Sequence, residues 1–293
     1  MNTSDAMKIC NQFYGKNNPS EAEQFAYIEA LEFLIAENKS PRCMMELGGY
    51  YYELKRFDLA LKYYEMAAEY NYEAAFECLG YIWYYGRTGT KDYEKAFNCY
   101  SKAADLGNIV CKYKLADMYK NGYFVDKDYE KYKEIIESLY DEVRNARSLG
   151  EPLPEIYTRL ARIMMEEGRN DEALELLLDA KSFLAQRISY NAFFGNLNIM
   201  KWLIDDLYKV SEFDSDNFDF YDLYHVLKNP ASVEFLYKKK KHTIQSQIED
   251  GECVINFDGK WFRTVDDFFG KSCIENDKLT AIFDDLYGFA LEA

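Results

Sequence analysis

The residues that could do chemistry are few and widely spaced. The 293-residue chain has two histidines, His225 and His242, and neither has a second histidine at the spacing of a metal site. Seven cysteines, Cys10, Cys43, Cys78, Cys99, Cys111, Cys253 and Cys273, include no pair with the two-residue gap of a zinc or redox motif. Glu212, Asp214, Asp216, Asp219 and Asp222 offer oxygen ligands of the kind calcium takes. A calcium loop starting at Asp214 needs Gly sixth and Glu twelfth, and Asp219 and His225 stand there instead. Gly86-Arg87-Thr88-Gly89 lacks the Lys-Ser/Thr that completes a phosphate loop. An enzyme would have to draw on His225, Asp258 and Trp261. The expectation is therefore a protein without catalytic residues, metal or cofactor, whose work is done by a surface.

Charge narrows what that surface meets. The net charge is −16. Such a chain repels nucleic-acid phosphates and anionic membranes, whereas a basic protein partner is compatible. Most cysteines fall at apolar positions of helical patterns, where a thiol behaves as a small hydrophobe, and an odd scattered set points to a reducing compartment. Residues Met1 to Cys10 hold no apolar stretch of signal-peptide length, and the longest apolar run, Cys78 to Tyr85, is interrupted by Gly80 and too short to span a bilayer. A cytoplasmic location is expected. The oligomeric state is left open.

The elements that must carry such a surface repeat along the chain. Leu47-Gly48-Gly49-Tyr50-Tyr51 recurs as Leu79-Gly80-Tyr81-Ile82-Trp83, as Leu115-Ala116-Asp117-Met118-Tyr119, and as Leu160-Ala161-Arg162-Ile163-Met164. Each is followed by a second pattern. The first holds Ala60, Tyr64 and Ala67-Ala68; the second Asp92-Tyr93-Glu94-Lys95-Ala96, Tyr100 and Ala103-Ala104; the third Asp128-Tyr129-Glu130-Lys131-Tyr132; the fourth Asp171-Glu172-Ala173-Leu174. The small residue beside each Leu lets a neighbouring helix come close, and the aromatic one turn on faces the same way. Tyr51, Trp83 and Tyr119 are thus expected in the core. One such hairpin cannot bury its apolar face alone, but a stack of them can.

Gly86-Arg87-Thr88-Gly89-Thr90-Lys91-Asp92-Tyr93-Glu94-Lys95-Ala96 resembles the signature of Sel-like repeats, as do Tyr119 to Gly122, Val125 and Asp128-Tyr129. The first and fourth copies, whose turn is four residues shorter, resemble tetratricopeptide repeats. The resemblance covers about residues 40–182 and implies an all-α fold, a right-handed α-α superhelix (solenoid) of Sel-like and tetratricopeptide-like helix pairs. In the third copy Tyr132 stands where Ala is expected, which suggests looser packing or a change in the superhelix.

Around the repeats, residues 1–39 are expected as N-terminal capping helices, with Ser20 and Glu23 spaced as a capping box. The repeats occupy 40–184, with a break at Gly150, Pro152 and Pro154. Residues 185–250 are expected as further helical hairpins. Among them Ala192 to Ile204 resembles half an ankyrin repeat turning at Gly195-Asn196, and Phe218–Lys228 and Ser232–Ile248 are expected as helices. Lys238 to Lys241 then lies on an exposed helical surface. In 251–293, Asp258-Gly259 between two β-rich runs predicts a hairpin. Helices at Val265–Phe269 and Asp277–Leu291 follow, and the hairpin is expected to pack on them as a cap.

In tetratricopeptide arrays the first helix of each pair lines a concave face, and the resemblance carries that over position by position. It gives Arg42, Met45, Gly49 and Tyr52; Ala74, Glu77, Tyr81 and Tyr84; Val110, Tyr113, Asp117 and Lys120; and Thr158, Arg162 and Met165. The candidate partner-binding residues are Arg42, Met45, Tyr52, Glu77, Tyr81, Tyr84, Tyr113, Asp117, Lys120 and Arg162. Tyrosine gives large area and one polar tip at low entropic cost, which suits interfaces. The implied function is a scaffold or adaptor that binds a protein or peptide there. The alternative is a bacterial immunity or inhibitor protein whose acidity steers it to a basic toxin domain.

Overall fold

The structure, a computed structural model, describes residues 1–14, 16, 19–145, 153–190, 194–212 and 218–292. The expected break at Gly150 and Pro152 lies outside the described residues. The chain divides into two compact units, Met1–Asp141 and Glu142–Ala293.

The first unit is a stack of helix pairs, and local caps set the ends of its helices. In α1 (Thr3–Phe13) the Asn2 side chain accepts from Asp5 N–H at 2.9 Å. Ser20 and Glu23 form the expected capping box ahead of α2 (Glu21–Asn38). The repeats follow as α3 (Pro41–Glu53), α4 (Phe57–Ala68), α5 (Glu73–Tyr85), α6 (Tyr93–Asp105), α7 (Ile109–Asn121) and α8 (Tyr129–Asn145). The Asp of each Asp-Tyr-Glu-Lys motif is a helix cap: Asp92 accepts from Lys95 N–H at 3.0 Å and Asp128 from Lys131 N–H at 2.9 Å. Such a side chain satisfies one backbone donor that the helix start leaves open. The longer turns begin at Gly86 and Gly122, both left-handed, and at Gly86 a β-carbon would meet backbone of Thr90 and Lys91 at 2.9 Å.

Packing within a pair depends on the small residue after the Leu. A β-carbon on Gly48 would lie 2.5 Å from Cε1 of Tyr64, and one on Gly80 would overlap the Tyr100 ring more deeply. The second helix therefore lays an aromatic ring on bare backbone of the first. The third and fourth pairs use Ala116 and Ala161, and Ile136 and Leu177 stand at the positions equivalent to the two tyrosines. All four of these residues are buried. In the third pair, the aromatic has moved one turn towards the start of the second helix, and a branched aliphatic stands in its old place. Tyr132 replaces the buried alanines Ala60 and Ala96, is itself fully buried, and Ile136 takes the aromatic position. Tyr64 and Tyr100, with Tyr132, are thus among the deep aromatics. Tyr51, Trp83 and Tyr119, expected in the core, are only half-buried. Tyr51 stacks on Tyr63, and Lys95 and Lys131 lie over Trp83 and Tyr119.

The second unit begins with three helices that pack on one another, α9 (Pro154–Glu166), α10 (Asn170–Tyr190) and α11 (Phe194–Val210). The ankyrin-like turn is not formed. Gly195 and Asn196 lie in the first turn of α11, which runs on unbroken through Ile204. A single 3-10 turn at Phe220–Asp222 leads into α12 (Leu223–Val226), shorter than the helix expected there.

The helix expected over Ser232–Ile248 is a β-hairpin, β1 (Ala231–Tyr237) and β2 (Lys240–Glu249). Hairpin β3 (Glu252–Phe257) and β4 (Lys260–Phe262) follows as expected, around Asp258 and Gly259, both at positive φ. After α13 (Val265–Lys271) come the short strands β5 (Cys273–Ile274) and β6 (Asp277–Lys278). The last expected helix is confined to α14 (Leu279–Ile282) and a 3-10 turn, and the chain then forms β7 (Tyr287–Glu292). The main sheet is antiparallel in the order β4-β3-β2-β1-β7. Residues 185–250 are therefore not all helical hairpins, and the expected lone hairpin is part of a five-stranded sheet.

Alternation builds this sheet's core. Val233, Phe235 and Tyr237 face inward with His242, Ile244, Ser246, Ile255, Phe257 and Phe262. Phe268 of α13 meets Phe257 and Phe262 edge-on, at 5.9 and 5.5 Å between ring centroids. The sheet and its short helices share one cluster of buried side chains.

Candidate binding face

On α5 the residues Glu77, Tyr81, Tyr84 and Tyr85 recur at helical spacing, and α7 brings Tyr113, Lys114 and Asp117 to the same neighbourhood. Tyr81 and Tyr85 stack at 5.7 Å with an 18° angle between rings. The Lys114 ammonium lies 5.0 Å from the Tyr81 ring centre, 5.9 Å from Tyr85 and 5.6 Å from Tyr113. A cation within about 6 Å of an aromatic face is attracted by the ring's quadrupole. Tyr84 is packed edge-on by Tyr85, Tyr93 and Tyr123. Burial raises its phenol pKa, and the nearby Asp117 carboxylate adds to the rise.

Glu77 sits one turn before Tyr81 and accepts from the Asn108 amide at 2.8 Å; the same amide also bonds Glu73. Burial pushes the Glu77 carboxyl above the usual carboxylate range, and Glu73 adds to this. Asn108 and Lys114 oppose it. Asn108 also caps α7 through Cys111 N–H at 2.7 Å, so a single side chain fixes the helix start and the acidic pair. Beneath the tyrosines lies Tyr100, fully buried, with its hydroxyl lacking a hydrogen-bond partner.

The other candidates are placed differently. Arg42 is exposed and bonds Glu46 at 3.2 Å. Met45 is half-buried against the helical core. Tyr52 packs on Phe57, and its hydroxyl accepts from Arg87 at 3.1 Å. Lys120 lies over Tyr129 and Tyr132. Tyr113, expected as a contact residue, is buried, so it offers its ring to Lys114 more than a surface of its own. Arg162 belongs to the second unit, where it pairs with Asp206 of α11 at 2.5 Å. The structure thus gathers Glu77, Tyr81, Tyr84, Tyr113 and Asp117. Sequence reasoning missed Tyr85, Lys114 and Asn108, each one or two positions from a residue or motif it had marked.

His225, Asp258 and Trp261 are not brought together. His225 stacks on Tyr208 and faces Asp205 at 3.6 Å. Asp258 instead meets His242 Nδ1 at 2.5 Å and accepts from Thr243 N–H at 2.9 Å. Trp261 is exposed. The second unit has a cleft of about 690 Å³ lined in part by Tyr221, Tyr224, Phe269, Lys201 and Asp266, and another of about 660 Å³ beside Lys181 and Asp222. Among the described residues, no group of three His, Cys, Asp or Glu could hold a metal ion, and no helix is long and apolar enough to cross a membrane.

The Sel1 repeat model matches residues 41–72, 79–108 and 109–131, so the chain carries three Sel1 repeats. No curated protein matches the sequence. Among solved structures, a Sel1 repeat protein from Oxalobacter formigenes is similar at 20% identity and a TM-score of 0.53, over 76% of this chain and 82% of that one. A tetratricopeptide protein of Thermus thermophilus aligns at 17% identity and a TM-score of 0.42, over 65% of this chain and 98% of its own. The protective antigen c5321 of uropathogenic Escherichia coli aligns at 19% identity and a TM-score of 0.33, over 69% and 47%. These likenesses concern the fold.

Proposed function

We propose that the first unit is a non-catalytic interaction module that holds a protein or peptide on the face built from α5 and α7. The observation that carries this reading is the convergence of Tyr81, Tyr84 and Tyr85 with Glu77, Lys114 and Asp117. Two half-buried tyrosines and an exposed one, beside charges of both signs, combine apolar area with polar tips, as interface centres do. The repeat fold supports it, since stacked helix pairs present extended surfaces. Seven thiols without a disulfide support a reducing compartment, which we take to be the cytoplasm.

The test is affinity capture from the native host with the full chain and with the Tyr81→Ala/Tyr84→Ala variant, quantified by mass spectrometry. At least one protein retained by the parent should drop about tenfold or more in the variant, the loss expected when interface aromatics are truncated. Circular dichroism should stay unchanged. Identical captured sets from the two baits would rule this face out.

A further inference from the structure

We propose that Tyr81, Tyr85 and Tyr113 form an ammonium-recognition cage that takes a lysine side chain from the partner, and that Lys114 fills it as an internal stand-in. The proposal rests on the binding face described above and names what that face recognises.

Three observations support it. The Lys114 ammonium lies within 6 Å of three tyrosine ring centres, at 5.0, 5.9 and 5.6 Å, so the cage already accommodates this chemical group. Aromatic faces gathered around one point recognise quaternary and methylated ammonium groups, and they attract a lysine ammonium by the same quadrupole. The acidic rim also suits a cation. Glu77 and Glu73 share the Asn108 amide at the edge of the cage, and Lys114 acts electrostatically on Glu77. Lastly, one wall of the cage reaches solvent: Tyr85 is 42% exposed and also lies 5.3 Å from the Arg87 guanidinium, a second cation drawn to the same ring.

Lys114 is tethered to α7 by a flexible chain, so an incoming lysine can displace it without moving a helix. Exchange of one ammonium for another leaves the cage chemistry unchanged, and the partner's additional contacts decide the outcome. The site therefore discriminates by charge: a neutral side chain of equal size would fill the cage but leave Glu77 without its nearby cation.

The probe is tetramethylammonium chloride, titrated into full-length protein with ring-labelled tyrosine and followed by NMR, with sodium chloride and tert-butanol as ionic and neutral controls. In Lys114→Met, the Tyr81, Tyr85 and Tyr113 signals should shift saturably, with apparent affinity about fivefold or more above the parent, the order expected from one competing cation–π contact. Lys114→Gln should behave like Lys114→Met, and serves alone if the methionine variant does not fold. Lys114→Arg should stay near the parent, and Tyr81→Leu added to the open variant should abolish the response. Equal responses in parent and open variants, or shifts matched by tert-butanol, would overturn the proposal. Capture lost in Tyr81→Ala/Tyr84→Ala with no ammonium response would keep the face and reject its chemistry.

Discussion

The ring of Tyr100 lies on the bare backbone of Gly80, close enough that a β-carbon there would come within 2.9 Å of Cζ and overlap the nearer ring carbons. Replacing a helical Gly with Ala normally stabilises by about 1 kcal/mol. At Gly80 and Gly48 the sign should reverse, with a loss of roughly 1–3 kcal/mol from overpacking. Gly49 is the control. Its β-carbon would have only the Tyr64 hydroxyl at 3.9 Å, so Gly49→Ala should stabilise. Urea denaturation of the three variants checks this, and Gly80→Ala should cost less when Tyr100 is already Leu.

Tyr100 carries a second prediction. Its ring is fully buried while its hydroxyl has no hydrogen-bond partner. An unsatisfied buried hydroxyl costs about 1–3 kcal/mol. Tyr100→Phe keeps the ring and removes the cost, so it should raise stability by about 1 kcal/mol or more. A fall of similar size in the urea midpoint would contradict the packing described.

In the second unit, Lys181 is buried and its ammonium lies 2.9 Å from both Asp222 oxygens and 2.9 Å from Asp219. Lys181→Met should destabilise by roughly 3 kcal/mol at neutral pH, because a buried carboxylate is left without its cation. Burial, with Asp219 adding to it, raises the Asp222 carboxyl to about 6 despite Lys181. A raised carboxyl favours the protonated folded state. Its contribution to stability is thus fully present below the unfolded value near 4, and declines as pH rises to about 6. Asp222→Asn mimics the protonated form, so the parent should lose stability relative to this variant across that window. Denaturation at pH 4, 5, 6 and 7 reads the slope.

Thiol reactivity should divide by environment. Burial pushes Cys10 to about 11 and Cys99 to about 11, Cys78 to about 12, and Cys111 higher still. Thiolates are the reactive form. Iodoacetamide at pH 8 should therefore modify exposed Cys273 first and leave these four largely intact, as intact-protein and peptide mass spectrometry can follow.

The β1–β2 turn should accept improvement. Lys238 and Lys239 both have positive φ, at 47° and 65°. Two-residue turns of this kind favour Asn-Gly. Lys238→Asn with Lys239→Gly should stabilise by about 1 kcal/mol, since a left-handed residue other than Gly or Asn costs about that much. A lower melting temperature would argue against the turn.

The same turn explains where sequence reasoning stopped. Asp258-Gly259 announces β3 and β4 because its residues are chosen for positive φ. Lys238-Lys239 gives no such sign, and the lysine run around it resembles a solvated helix face. The period of two was present in Val233, Phe235 and Tyr237, but β1 completes its pairing with β7, more than fifty residues on. Pairing at that distance leaves no local trace. The repeats were legible because their devices are local: a small residue beside each Leu, and an Asp cap ahead of Tyr-Glu-Lys. The binding face was half legible. Glu77, Tyr81 and Asp117 sit at inherited positions of a first helix. Lys114 matters through three rings on two helices, and Arg162 is taken up by Asp206, 44 residues away.

The close fit of Gly80 to Tyr100 also bears on how such a chain can be shuffled by recombination. A crossover between α5 and α6 of one copy and the matching point of the third would join Ala to Tyr, or Gly to Ile, a clash or a void. A crossover between hairpins keeps each small residue with the ring it was selected to meet. The inheritable unit is therefore the helix pair, and libraries that recombine these repeats should place their junctions in the short turns before α5 and α7.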